Sequence, residues 1–279
     1  MIFTNQISSA KKYFNILQCV SFVTYKEWAA YRTHAVVSVF VGPVYYLAQV
    51  FIWTSLYAGN NSGIAGMTLE SMLAYFGVSA VIGYLTMDFA DWNFQMLVQT
   101  GKFTTFLLRP VHHRFFALSQ KVGHRFLGFW FEFLPVYLIF LFVFKVKIFP
   151  ANLIWAVLSL IFAYLTVFYI NYCIGLSAFW LTKTGGLRSL FSFLVFAFSG
   201  ALVPLTLFPA AMQKVLFILP FQFITYVPVR VFLGSYNLAG VTLSIPETVA
   251  LQGCVVAVCA LLSELLYKTG IKRFTGVGT

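Results

Sequence analysis

The sequence predicts an all-α integral membrane protein with six transmembrane helices, an N-terminal amphipathic interface helix and an outer re-entrant helical hairpin between helices 5 and 6. Three observations carry this. Apolar residues make up 61% of the 279-residue chain and charged residues only 9%, against roughly 25% charged in a soluble domain. The stretch 198–228, FSGALVPLTLFPAAMQKVLFILPFQFITYVP, is apolar enough for a bilayer yet holds prolines at 204, 209, 220 and 228. Each proline inside a helix removes a backbone hydrogen bond and clashes with the preceding turn, at about 3 kcal/mol. Lysines and arginines also fall unevenly between alternate loops.

The whole chain, 1–279, reads as one transmembrane domain. Residues 1–33 form a cytosolic lead-in. From Ser8 to Arg32, Tyr13, Leu17, Val20, Thr24, Trp28 and Tyr31 recur at helical spacing while Lys11, Lys12, Lys26 and Glu27 lie off that line, a pattern suited to the membrane surface. The first ten residues carry no basic residue ahead of a short apolar core. No cleavable signal peptide is therefore expected, and the first membrane helix serves as its own insertion signal. Helices 1–5 occupy 34–203, with crossings at about 35–58, 71–89, 116–144, 153–181 and a short fifth at 189–203. The hairpin and its loop take 204–245. Helix 6, at about 248–267, and a basic tail complete 246–279. The link GNNSGIAG between the first two crossings is flexible and uncharged.

Orientation follows from the basic residues alone. Fourteen (Lys11, Lys12, Lys26, Arg32, Lys102, Arg109, Arg114, Lys121, Arg125, Lys183, Arg188, Lys268, Lys272 and Arg273) fall on one side of this layout and four (Lys145, Lys147, Lys214 and Arg230) on the other. Both termini are expected in the cytoplasm and the hairpin outside. The net charge of +11 is thus a topology signal that engages the lipid bilayer, and no nucleic-acid partner is expected. Cys19, Cys173, Cys254 and Cys259 lack CxxC spacing and read as packing residues.

The loop 88–115, DFADWNFQMLVQTGKFTTFLLRPVHHRF, is the largest cytosolic feature. Asp88 and Asp91 end the second helix at the interface. A short amphipathic helix through Trp92, Gln95, Met96 and Gln99 is broken by Gly101, and an apolar turn from Thr104 to Leu108 is closed by Arg109 and Pro110, since the residue before proline is pushed out of helical geometry. Gly101, Lys102, Phe103, Phe106, Leu107, Leu108, Arg109 and Pro110 form an exposed apolar knob on a basic loop, which is a docking surface. The loop does not bind nucleotide itself: a phosphate-cradling motif needs a glycine five residues before Gly101 and a Ser or Thr after Lys102, where Met96 and Phe103 stand. His112 and His113, being adjacent, point about 100° apart on a helix and do not clasp one metal. No metal site and no catalytic residue is expected.

In the hairpin, a helix rising from Ser189 stops near Val203 or Pro204, short of the ~20 residues that span a bilayer. A second starts at Pro209, where proline suits the first turn, and runs from Ala210 to Leu219. Pro204, Phe208, Pro209, Phe217, Pro220, Phe221 and Pro228 define the feature, with Phe208, Leu216, Phe217 and Phe221 as its apolar face. Such broken backbone is tolerated at membrane depth only where protein or a water-filled cavity covers it. A hairpin on the outer side, at a subunit seam or over an exit, satisfies this. One intramembrane charge, Glu132, falls on a stripe with Lys121, Arg125 and Gly128. Arg125, two turns below, is its candidate partner, and structural pairing and a substrate-facing role both stay open.

These residues carry a resemblance. GKFTTFLLRPVHHRFFALSQKVG resembles the G-x-hydrophobic-x-x-LLxRP segment of bacterial type-2 ABC exporter permeases, in the branch whose ATPase is a separate polypeptide. LLYKTGIKRFTGVGT resembles that branch's basic tail, and the 198–228 stretch its outer re-entrant hairpin. It departs where many relatives place an acidic residue after the loop glycine: here Lys102 precedes Phe103 and Thr104. The resemblance implies a permease subunit in the bacterial cytoplasmic (inner) membrane, pairing with a second copy or a paralogue above two ATPase subunits. It implies no cofactor on this chain, with ATP and Mg held by the partner ATPase, and a loop that couples to it. Two other classes stay open at this point. An ion-coupled secondary transporter would use Asp88, Asp91 and Glu132 as a relay, and a lipid-modifying membrane enzyme would draw on His112, His113 and Asp91.

Overall fold

The computed structural model describes residues 2–29, 32–58, 64, 66–146, 149–181 and 184–274. Tyr31, most of the GNNSGIAG link, Lys147, Lys183 and the tail at 275–279 lie outside them. In chain order the helices are α1 (Ile2–Ala29), α2 (Arg32–Tyr57), α3 (Leu69–Thr86), α4 (Ala90–Gln99), α5 (Lys102–Leu107), α6 (His113–Gly128), α7 (Leu134–Phe142), α8 (Leu153–Leu176), α9 (Gly185–Phe198), α10 (Ala210–Ile218), α11 (Tyr226–Leu233) and α12 (Ile245–Ile271). Among the described residues, five helical runs are long and apolar enough to cross a membrane: Val39–Tyr57, Leu69–Gln99, His113–Phe142, Leu153–Phe179 and Ile245–Ile271. The expected fifth crossing is the short α9, which begins at Gly185 and ends at Phe198, five residues before Val203. Its fourteen residues rise about 21 Å, less than the ~30 Å hydrocarbon core.

Local chemistry sets several boundaries. Thr68 caps α3 and Asn152 caps α8, each side chain accepting backbone N–H bonds from the first turn, and Ser244 with Glu247 forms a capping box on α12. The third crossing is not the unbroken helix expected at 116–144. A π-helical turn, Phe129–Phe133, separates α6 from α7. Pro135 follows at the second position of α7; it has no N–H for the carbonyl of Phe131 and its ring crowds that turn, so the helix widens there.

α1 lies along α6, α2 against α3, α8 against α12, and α4 crosses the end of α8. The α1–α6 contact is close because residue 123 is glycine: a Cβ there would stand 2.3 Å from the Ser21 carbonyl oxygen. Ser21 Oγ donates to Ser119 O at 2.8 Å, and Tyr13 packs edge-on against Phe115.

Among the described residues the apolar interior falls into two clusters. One holds Met72, Tyr75, Phe76, Phe140, Leu205, Phe223 and Tyr226, at the end where the proline-rich segment folds. The other holds Phe94, Phe103, Phe106, Phe168, Tyr172 and Phe179, at the end where α4 and α5 sit.

Each proline of the 198–228 segment stands at the start of an element. Pro204 precedes a 3₁₀ turn (Leu205–Leu207), Pro209 is the N-cap of α10, Pro220 opens a second 3₁₀ turn (Pro220–Phe223), and Pro228 lies in the first turn of α11. The carbonyls freed by these breaks are met by named donors. Tyr75 Oη donates to Gly200 O at 2.7 Å, Tyr45 Oη to Ala201 O at 2.9 Å, and Tyr226 N to Ser199 O at 2.9 Å. Gln213 Nε2 serves Thr206 O and Phe208 O, Gln222 Nε2 serves Phe217 O, and Gln252 Nε2 serves Phe223 O. A backbone so satisfied meets the requirement that hydrocarbon imposes.

The sequence did not predict the β-hairpin that follows, β1 (Tyr236–Leu238) paired antiparallel with β2 (Val241–Leu243). Ala239 and Gly240 take positive φ, 56° and 78°, the signature of a type I′ turn. Ala239 N donates to Gln213 Oε1 at 3.0 Å, which ties the turn to α10.

Candidate coupling and translocation site

The α4–α5 pair forms a cap at one end of the bundle. Gly101 joins the two helices at φ +69°, a left-handed conformation that a side chain would strain. This orients α5 so that Phe103 and Phe106 turn inward, which corrects the expectation of a wholly exposed knob. They pack on a ring of aromatics: Phe103 lies against Phe94, His113, Phe179 and Phe274, and Phe106 against His113 and Phe116. His113, buried at the centre, shares a 3.0 Å hydrogen bond between Nδ1 and Tyr172 Oη of α8. What remains outside is Leu107, 43% exposed, and Leu108, 84% exposed. Lys102, Arg109 and Pro110 are exposed beside them, with the Arg109 guanidinium over the rings of Phe106 and Phe116. Between α4, α5 and α6 lies a cleft of about 520 Å³, lined by Trp92, Met96, Lys102, Phe106, Arg109 and Gln120 among others.

The cap is wired to α6, α8 and α9, and α6 in turn to α12. Arg188 of α9 forms an ion pair through Nε with Asp91 Oδ2 of α4 at 2.8 Å. Just before α4, Asp88 stands 3.9 Å from Lys121 of α6, accepts from Ala90 N at 2.8 Å, and receives Asn171 Nδ2 of α8 on its carbonyl and its carboxylate. Arg114 at the start of α6 donates to Ala260 O and Ser263 Oγ of α12 and pairs with Glu264 at 3.4 Å. His112 pairs with Glu264 at 3.7 Å and stacks near Tyr267, so the two adjacent histidines serve different helices. Burial beside Arg114 and Lys268 holds the His112 imidazole below its ordinary pKa despite Glu264. A Cβ on Gly175 of α8 would meet Phe94 Cβ at 2.9 Å and the Asp91 backbone at 3.1 Å; α4 and α8 touch there without clearance.

A second cavity, about 350 Å³, opens between the end of α3, α8 and α9. Asp88, Asp91, Asn171 and Arg188 line it toward the cap, Val167, Ile170, Val195 and Phe196 along its sides, and Ser199 and Thr225 at its far end. It therefore reaches from the wired cap to the break after α9.

Over residues 44–278 the sequence matches the family described as ABC-2 family transporter protein. The chain belongs to that family. No curated protein matches it, and no solved structure does. ABC-2 permeases are the membrane components of transporters and generally partner with ATPase subunits. The family and the apolar helices together make the chain a multi-pass membrane protein. Membership also favours ATP-driven transport over the ion-coupled and lipid-modifying readings.

The remaining site residues of this ABC-2 chain are distributed as follows. Pro204, Phe221 and Pro228 are buried, Phe208, Phe217 and Pro220 half-buried, and Pro209 exposed. The apolar face expected for α10 is corrected, because Leu216 and Phe221 are core residues, whereas Val215 and Ile218 stand out at 56% and 81% exposure. Glu132 belongs to the π-helical turn. It shares the space over Gly128 with Arg125: a Cβ there would meet Glu132 Oε2 at 3.3 Å and Arg125 Cζ at 3.8 Å. Arg125 also donates to Tyr84 O at 2.6 Å and contacts His124 Nδ1 at 3.0 Å. Sequence reasoning missed Arg188 and Lys121 as partners of Asp91 and Asp88. Two acids three residues apart at a helix end were the available signal, and their partners lie too far along the chain for periodicity to reveal.

Proposed function

We propose that this chain is the transmembrane subunit of an ATP-binding-cassette exporter, moving its substrate from the cytoplasm or inner leaflet outward with ATP hydrolysed on a separate ATPase polypeptide. The observation that carries the reading is that one small unit, α4–α5, presents Leu107 and Leu108 outward while its other side is tied to α6, α8 and α9. Closure of an ATPase pair pushes on α5. With Phe103 and Phe106 locked in the aromatic ring, α5 does not fold away and the push passes to α4. Asp91 then carries Arg188, and with it α9, a wall of the 350 Å³ cavity, so loading and release track the nucleotide state.

The basic residues put the cap in the cytoplasm, together with both termini, in a bacterial cytoplasmic membrane. In this topology α9 is the short fifth of six crossings, α1 lies in the interface with its Lys11 and Lys12 in water, and the 204–245 segment is a re-entrant outer lid with its loop. None of the fourteen described residues of α9 is buried, and Leu190 and Phe193 are largely exposed, which supports a second permease copy or a paralogue seated there. Nucleotide and Mg belong to the ATPase. Reconstitution with the ATPase tests the reading. Leu107→Asp/Leu108→Asp is expected to abolish substrate-coupled ATP hydrolysis while the permease still inserts, and full stimulation of the ATPase by that variant contradicts it.

A further inference from the structure

The cavity between α3, α8 and α9 ends on a charge arrangement that coupling alone does not use. Asp88 and Asp91 are 0% and 5% exposed through their side chains, yet Oδ1 of each has no hydrogen-bond partner among the described residues. Lys121 stands 3.9 Å from Asp88, beyond hydrogen-bond distance. Arg188 is the mirror case. Its Nε is ion-paired with Asp91 at 2.8 Å, its guanidinium lies 5.8 Å from the Phe89 ring centroid, and its two terminal nitrogens have no hydrogen bond among the described residues. Buried carboxylate oxygens left without donors are costly and call for a partner.

Lys121 stands behind Asp88, outside the cavity lining; with it, Asp88, Asp91 and Arg188 sum to zero formal charge, so a ligand that adds net charge is disfavoured. One carrying a cationic donor and an anionic acceptor together completes both halves. The volume, about 350 Å³, lies at the low end of small-molecule sites, and the side walls at Val167, Ile170, Val195 and Phe196 are apolar. We infer that this cavity binds a single zwitterionic amphiphile of the phosphoethanolamine-lipid type. Its ammonium sits against Asp91, with the buried Asp88 behind it, its phosphate on Arg188, and its chain runs along α9. This deepens the reading of the cavity as the loading site and rests on it.

The test is equilibrium binding to the full-length purified chain in detergent, using lysophospholipids of equal chain length with ethanolamine, choline or glycerol heads. Choline has no N–H to give the carboxylates and glycerol has no cation. The ethanolamine lipid is therefore expected to bind at least about tenfold more tightly than either, the worth of one charge-assisted hydrogen bond. Arg188→Gln is expected to weaken it by a similar factor, and Asp91→Asn to reduce its preference over the choline lipid. Equal affinity for the three heads in the wild-type protein overturns the inference, whether or not the variants fold. A preference untouched by both substitutions in folded variants overturns it as well. Competition by free phosphoethanolamine as strong as by the lipid would mean a soluble zwitterion and sink the amphiphile assignment. Because binding is read without the ATPase, a negative result here leaves the coupling test intact, and a failed coupling test leaves this one readable.

Discussion

Arg188 Nε and Asp91 Oδ2 lie 2.8 Å apart, and this contact joins α9, with no buried residue of its own, to the cap helix α4. Asp91 is buried while Arg188 is one-third exposed. Removal of the arginine therefore leaves a carboxylate in a poor solvent, at a cost of about 2–3 kcal/mol once solvent around the guanidinium is allowed for. Arg188→Gln is expected to lower the melting temperature by several degrees. Asp91→Asn/Arg188→Gln should be less damaging than the sum of its single changes, a coupling that a double-mutant cycle measures directly.

The proline-broken segment depends on borrowed donors. Tyr75→Phe keeps the packed ring and removes only the hydrogen bond to Gly200 O, so a buried carbonyl loses its partner at about 1–3 kcal/mol. Gln252→Leu removes the donor to Phe223 O and Ser159 O and the acceptor of Ser159 Oγ, and is expected to cost more than Tyr75→Phe. Thermal unfolding of the two variants in one detergent checks both the sign and the order.

Close approach of α1 to α6 is a matter of one missing Cβ. Gly123→Leu places carbon atoms within 2.3 Å of the Ser21 carbonyl, so α1 must lift and become open to limited proteolysis. Gly83→Leu meets nothing within 4 Å at its Cβ and is the matched control, expected to leave the protease pattern unchanged.

How far the sequence already contained this fold depends on the range of the forces involved. Prolines act on their own turn, so the breaks at 204, 209, 220 and 228 and the helix from Ala210 were readable residue by residue, as was the break at Gly101, though not its left-handed form. The π-helical turn was not, because Pro135 permits a kink, a break or a widening, and packing selects among them. Nor was the direction of Phe103 and Phe106. An apolar turn in a basic loop looks like a surface knob until Tyr172 and Phe179, many residues away, supply the ring that buries it. The partners of Asp88 and Asp91 were hidden for the same reason. The strands at 236–243 escaped because Ala-Gly is a weak turn signal beside Asn-Gly.

Within α5, folding and docking are separable. Phe103 is fully buried, and Phe103→Ala is expected to cost about 3–5 kcal/mol of stability and to reduce the yield of folded protein. Leu108, 84% exposed, gives up no intramolecular packing of that size. Leu108→Asp is expected to change the melting temperature by no more than a degree or two. A fall in stability for Leu108→Asp comparable to that of Phe103→Ala would show that this side chain is already covered within the chain.

The most direct test of the coupling account is the ATPase rate of the reconstituted complex with and without Leu108→Asp, measured beside the amount of ATPase that copurifies. The account predicts that the folded, membrane-inserted variant loses either the bound ATPase or its stimulation. A complex carrying Leu108→Asp that retains both its ATPase and wild-type stimulated hydrolysis would contradict it.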